Sequence, residues 1–186
     1  MHKQTLVPIV ENKNAIAGRF SMRKHKVGDI KWHRDAVGRV VCDIDSLKVA
    51  MGMPGYQHPV VHNKVVSGTG GYGRNLLLRA MSNDVTYPIV ITAGKIGTGT
   101  NTPVDGDTDL QTAVLSGIDI QLFELSNDTL VVSLFIPSAD IADGTYTEFG
   151  LFMGAQLFCR ALISPTFAKS ANEDTTIEYT LTFSAA

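Results

Sequence analysis

One carboxylate in this chain is set among apolar neighbours: Glu148, in Tyr146-Thr147-Glu148-Phe149-Gly150-Leu151. A buried glutamate must find partners, either backbone N–H groups or a cation such as Arg160. No second acid and no histidine lies near it in sequence, so general acid–base chemistry lacks its second group. A structural use follows. Gly97-Thr98-Gly99 allows a turn, and Pro103 stiffens what comes after it. The expectation is that Glu148 pins the 97–103 loop, with Gly97, Gly99 and Pro103 shaping it.

Other residue patterns touch known chemistry and fall short of it. Asp105, Asp107 and Asp109 have the D-x-D-x-D spacing of a calcium loop. The glycine, Gly106, sits inside the triplet, and Ser116 stands where the bidentate Glu belongs. An acidic turn is the reading, with no metal assigned. Gly68-Thr69-Gly70-Gly71-Tyr72-Gly73 spells G-x-G-x-x-G between an apolar run and a helix. The ribose-binding acid about 20 residues on is missing, and no second βαβ unit follows. Arg74-Asn75 also replaces the Lys-Ser/Thr of a phosphate loop. His58 and His62 are four apart, but Pro59 and two valines argue against the helix that would align them on a metal. Asn127-Asp128-Thr129 spells a glycosylation sequon, without a secretory signal to make it relevant. Cys42 and Cys159 are isolated, which excludes a zinc ribbon or a disulfide framework and reads as two buried thiols. No catalytic residue and no cofactor is assigned.

The elements that must position these residues are mostly strands. Residues 175–183 alternate Ile177, Tyr179, Leu181 and Phe183 with Glu178, Thr180 and Thr182. That is a period of two with one apolar face. Residues 130–136 are apolar on both faces, as in a strand buried on both sides or set against a neighbour. A third strand lies over 118–125. Residues 149–153 and 157–163 flank Gly154-Ala155-Gln156 as a hairpin. Turn signals at Asn127-Asp128, Asp143-Gly144 and Asn172-Glu173-Asp174 keep the spacing of a sandwich or barrel. One short helix is expected over Arg74–Met81, and residues 44–51 suggest another turn capped by Asp43 or Asp45. Residues 18–25 and 37–41 suggest a hairpin, and residues 1–17 an extended arm. The fold expected is mainly β: an antiparallel β-sandwich with one short helix. Residues 1–59 form the arm and hairpin, and residues 60–186 the assembly domain.

Three segments together resemble tailed-bacteriophage virion proteins of tail fibres and baseplates. The first is His62-Asn63-Lys64-Val65-Val66, leading to Gly68 and Arg74-Asn75-Leu76-Leu77. The second is Ile96-Gly97-Thr98-Gly99-Thr100-Asn101-Thr102-Pro103, then Asp107-Thr108-Asp109-Leu110. The third is Thr147-Glu148-Phe149-Gly150-Leu151-Phe152, then Leu157-Phe158-Cys159-Arg160-Ala161. The resemblance covers about residues 60–184. It implies a sandwich used in assembly, located in the virion, with neither cofactor nor catalysis.

Composition bounds these readings. The chain has 186 residues, 44% hydrophobic and 18% charged. Soluble domains average roughly 25% charged. With a mean hydropathy of +0.08 it is not a disordered chain. No apolar run reaches the 18 or so residues of a membrane helix, and no signal peptide is apparent. Residues 1–40 carry nine Lys/Arg against three acids, +6, and the remainder seven against fifteen, −8. Lys24, Lys26, Lys31, Arg34 and Arg39 with Trp32 are too modest a cluster for nucleic acid. A charge-polarised chain fits a protein covered by partners. The expected function is a non-enzymatic, homo-oligomeric subunit of a phage tail, baseplate or fibre attachment. Its arm would dock on a neighbour or another virion protein by strand addition. Alternatives are a neck, collar or capsid-decorating protein, a saccharide-binding module using Tyr56, Tyr72 and Tyr87, and a nucleotide enzyme through residues 68–73. Removal of residues 1–40 is expected to leave the sandwich folded.

Overall fold

The computed structural model describes residues 16–52, 58–65 and 72–183. In chain order the elements are β1 (Ile16–Lys26), β2 (Trp32–Arg34), β3 (Val40–Cys42), α1 (Ile44–Gly52), β4 (His58–Val65) and α2 (Arg74–Met81). They continue with β5 (Ala93–Gly97), β6 (Ala113–Ser126), β7 (Thr129–Ile136), a 3-10 turn (Ser138–Asp140), β8 (Gly144–Met153), β9 (Gln156–Lys169) and β10 (Glu173–Phe183). The mainly-β, antiparallel class is as expected.

Eight strands form one sheet in the order β1-β10-β7-β6-β5-β8-β9-β4, which closes on itself as a barrel. The two facing layers of the expected sandwich are therefore opposite walls of one curled sheet. Alternation fixes which side chains point inward but not whether the end strands meet. Here they do, briefly, where Ser21 opposes Pro59 and Met22 opposes His58. Inward residues of β10 (Ile177, Tyr179, Leu181) meet those of β7 (Val132, Leu134, Ile136), β8 (Phe149, Leu151) and β9 (Phe158, Ala161, Ile163) in the main core. Helix α2 adds Leu76 to that core, with no exposed surface left. The β8–β9 hairpin turns at Gly154, whose φ of 62° suits a residue without Cβ. The β6–β7 and β9–β10 turns use Asn127 and Asn172 at positive φ, as the turn signals indicated.

The N-terminal organisation departs from the expectation. Residues 18–25 do not pair with 37–41. They lie in β1, which pairs with β10 over eleven positions, from Ile16↔Phe183 to Lys26↔Glu173. The reason is the fully buried Met22, which an alternating partner strand can cover along its whole length. Residues 37–41 are too short to do so; β3 pairs with β2 instead, Trp32↔Cys42 to Arg34↔Val40. The expected 1–59 unit is thus divided. Residues 16–26 are barrel wall, while β2, β3 and α1 form a layer outside it. Residues 1–15 and 53–57, and with them most of the arm and Tyr56, lie outside the described residues.

That outer layer explains why β7 is apolar on both faces. Phe135, pointing out of the barrel, packs with Ile30, Val40, Cys42, Leu47 and Ala50, and Trp32 joins them. The Trp32 and Phe135 ring centroids are 6.2 Å apart. Asp43 caps α1: its Oδ1 accepts the Ser46 N–H at 2.9 Å. Strand β3 is fastened to the barrel by side chains. Asp119 accepts the Val40 N–H at 2.7 Å, and Gln121 accepts the Cys42 N–H at 2.8 Å and donates to the Val40 carbonyl at 2.9 Å.

Candidate functional site

The loop 98–112, between β5 and β6, folds back onto β8 and β9, and Glu148 lies beneath it with no exposed surface. Its Oε1 accepts the N–H of Gly99 at 2.9 Å and of Thr112 at 2.6 Å. Its Oε2 accepts the N–H of Gln111 at 3.0 Å and the Nε–H of Arg160 at 2.8 Å. The expected pin is present, and it holds both ends of the loop. Thr147 adds a bond from its hydroxyl to the Gly99 carbonyl at 2.8 Å. The glycines are required by contact. A Cβ on Gly99 would stand 2.4 Å from the Glu148 Oε1, and one on Gly97 would stand 2.2 Å from the Thr112 carbonyl oxygen. Pro103 is buried within the loop.

Arg160, on the neighbouring strand and 2% exposed, forks between two carboxylates. Besides Glu148 it donates through Nη1 to Asp107 on the loop at 3.0 Å. Its third nitrogen, Nη2, is buried with no partner among the described residues. Asp107 also accepts the Val104 N–H at 3.0 Å. The loop is therefore tied down twice, by Glu148 through three amides and by Arg160 through Asp107. A carboxylate offers about four acceptor positions, and all four here are taken.

The other candidates are dispersed. The three aspartates do not converge on a point where a calcium ion would sit. Asp105 pairs with Arg74 at 3.2 Å, Asp107 with Arg160, and Asp109 with Lys95 at 2.8 Å. Three separate cations neutralise them, so the triplet is a set of loop anchors; the spacing of a calcium loop misleads because alternate residues of an irregular loop diverge. His58 and His62 stand on the extended β4, not on a helix. Residues 68–71 of the glycine motif lie outside the described residues; Gly73 ends it at φ 49° and donates its N–H to the Leu157 carbonyl at 3.0 Å. Both cysteines are free and buried, and burial pushes each thiol up to about 12. In the basic segment, Arg34 pairs with Asp140, Arg39 with Asp35 and Lys24 with Glu173.

Sequence reading missed a second polar cluster near the end of β1. His25 Nε2 lies 2.8 Å from the Thr176 hydroxyl, and burial holds the imidazole below its ordinary range. Asp174, 1% exposed and opposite His25 in the ladder, accepts the Ser138 N–H at 2.8 Å through Oδ1. Burial raises its carboxyl above the ordinary range, and Oδ2 has no partner among the described residues. The available signal was Asp174-Thr175-Thr176, a polar run entering an otherwise alternating strand.

Fold and site together define a mainly-β antiparallel protein in which the buried Glu148–Arg160 pair fastens a loop to the barrel. No protein-family model matches the chain, and neither a curated protein nor a solved structure matches it. Among the described residues no helix is long and apolar enough to cross a membrane.

Proposed function

We propose that this chain is a non-enzymatic structural subunit of a tailed-phage virion, assembling as a symmetric homo-oligomer in the tail, baseplate or fibre-attachment region. The observation that carries the assembly reading is an exposed apolar stretch running from the second half of α2 toward β5. Leu78, Met81, Val85, Ile89 and Val90 are each at least half exposed within thirteen residues. Five apolar side chains exposed within one short segment are consistent with a surface that a partner covers. The resemblance of the 62–77, 96–110 and 147–161 segments to tail-fibre and baseplate proteins supplies the virion setting. The saturated Glu148 supports a structural over a catalytic use of the chain's most buried acid.

The neck, collar or capsid-decorating placement shares this assembly reading and differs only in the partner. Among the described residues the saccharide reading gains nothing from its tyrosines: Tyr72 is half-buried against Phe152 and Leu157, and Tyr87 is half-buried against the core with Arg79 over its ring. Light scattering on the purified chain tests the proposal. The expected mass is a fixed multiple of 20.1 kDa, constant over a wide concentration range. A monomer at high concentration would overturn it.

A further inference from the structure

Strand addition needs an unpaired edge. Among the described residues the barrel strands are paired on both sides except along the seam of β1 and β4, where Ser21↔Pro59 and Met22↔His58 alone oppose. The outer layer has two edges, of which one is already used: the outward groups of β3 are bonded to Asp119 and Gln121. The other edge is β2. Asp43 donates its N–H to the Lys31 carbonyl and Asp35 donates to the Arg39 carbonyl. With the register His33↔Val41, residues 31, 33 and 35 therefore turn their backbone groups toward β3. Trp32 and Arg34 turn theirs the other way, and no partner for those groups is found among the described residues. Such an edge is a template for another strand.

We infer that this edge receives residues 5–10 of a second copy of the chain, an inference that rests on the assembly reading above. The segment is Thr5-Leu6-Val7-Pro8-Ile9-Val10, in which Thr5, Val7, Ile9 and Val10 are β-branched and Leu6 is apolar. Pro8 fixes the register. Proline cannot donate to a ladder and sits in a strand only where its nitrogen faces away from the partner. The bonding residues must then be Val7 and Ile9, two apart, and β2 offers bonding residues two apart, Trp32 and Arg34. In an antiparallel pairing Ile9 exchanges bonds with Trp32 and Val7 with Arg34, and Pro8 stands opposite the exposed His33.

Reach disfavours docking within one chain, which would need the arm drawn out almost fully. The chain enters β1 at Ile16, at the end of the barrel where Ile16 opposes Phe183. Trp32 lies over Phe135, which is level with Thr176 and with Arg23, seven residues further along β1. Seven residues of strand rise about 23 Å, and the offset across two strands and out to the next layer brings the separation to about 27 Å. A fully extended chain from Ile9 to Ile16 covers at most about 25 Å. The arm therefore leaves one end of a subunit and the acceptor edge sits toward the other, a head-to-tail contact that closes into a ring when the rotation allows.

The test uses the full chain carrying Pro8→Cys and His33→Cys. Across a non-bonded antiparallel pair the Cα atoms are about 4.5 Å apart, inside the range a disulfide spans. Oxidation is expected to give a ladder of covalent multimers on a non-reducing gel, absent from either single variant and from the out-of-register pair Glu11→Cys with His33→Cys. Ile9→Pro removes one bonding N–H from the arm without touching the barrel, and is expected to abolish association, whereas Lys3→Pro, outside the docking segment, leaves it intact. A chain that is multimeric by light scattering but gives no ladder overturns β2 as the acceptor and leaves the assembly reading standing. A cross-link within one chain overturns the exchange between copies. A full chain that stays monomeric at high concentration overturns both readings.

Discussion

Glu148→Gln is the sharpest probe of the pinned loop. Glutamine keeps the shape of the side chain but has one acceptor oxygen and one NH2 group. With the oxygen at the Oε1 position, Gly99 and Thr112 keep their acceptor, while the NH2 meets the Gln111 N–H and the Arg160 Nε–H, donor against donor. The opposite orientation sets the NH2 against the other two amides. Removing one partner of a buried ion pair costs about 3–5 kcal/mol. Arg160 retains Asp107, so the low end, about 3 kcal/mol, applies. At about 2–4 °C per kcal/mol for a chain of this size, Tm should fall by roughly 6–12 °C. Thermal and urea unfolding followed by circular dichroism would measure it. Amide exchange should accelerate first at Gly99, Gln111 and Thr112. Adding Arg160→Met removes the stranded cation, so the double variant should be less destabilised than the sum of the singles by about 1 kcal/mol or more. A loss below about 1 kcal/mol for Glu148→Gln, or strict additivity in the double variant, would refute the pin.

The remaining expectations are briefer. Gly99→Ala should cost about 1–3 kcal/mol by urea unfolding, because its Cβ meets both Glu148 and the Gln111 side chain, at 2.4 and 2.5 Å. His25 is a base with a depressed pKa, owing first to burial; the unfolded chain takes up its proton first. The stability it contributes is full above about pH 6.5 and is lost as pH falls from there through the folded value. The difference in Tm between the native chain and His25→Gln, measured at pH 7.5 and pH 5, should therefore shift toward the variant on acidification. Both thiols, buried and pushed up to about 12, should resist a thiol reagent in the native protein and react fully in urea. Deletion of residues 1–40 should give an insoluble or molten product by gel filtration and near-UV dichroism, since it removes β1 and Met22 from the barrel.

Much of the barrel and of the pin was readable because the signals were local. The alternation of β10, the two apolar faces of β7 and the short turns at Asn127, Gly154 and Asn172 each depend on a few adjacent residues. Glu148 was legible as a carboxylate set among apolar neighbours that must bond something, with glycines upstream to receive it. What escaped was set by distant partners. Strand β1 carries Arg19, Arg23, Lys24 and His25, so its charge masked a strand that pairs along its length only with β10. Barrel closure depends on two residue pairs between strands that are each unremarkable alone. The aspartate triplet has the right spacing for a cation, but its meaning is decided by Arg74, Arg160 and Lys95, which come from elsewhere in the chain. Asp119 and Gln121 did announce themselves, as polar side chains alternating with Ile118, Ile120 and Leu122, yet nothing local said that they would stand in for a missing strand beside β3.

The pairing of the first described strand with the last has a consequence for timing. Ile16 meets Phe183, so the wall between them cannot form until residues 173–183 have left the ribosome. During synthesis β1 waits, its pairing groups unmet, while β5 to β9 assemble by nearer contacts. Folding of this kind depends on contacts far apart in sequence and is slow for that reason. A closed barrel accordingly requires both β1 and β10. A translation product that stops short of β10 would carry an open sheet, with the edges of β1 and β7 unpaired.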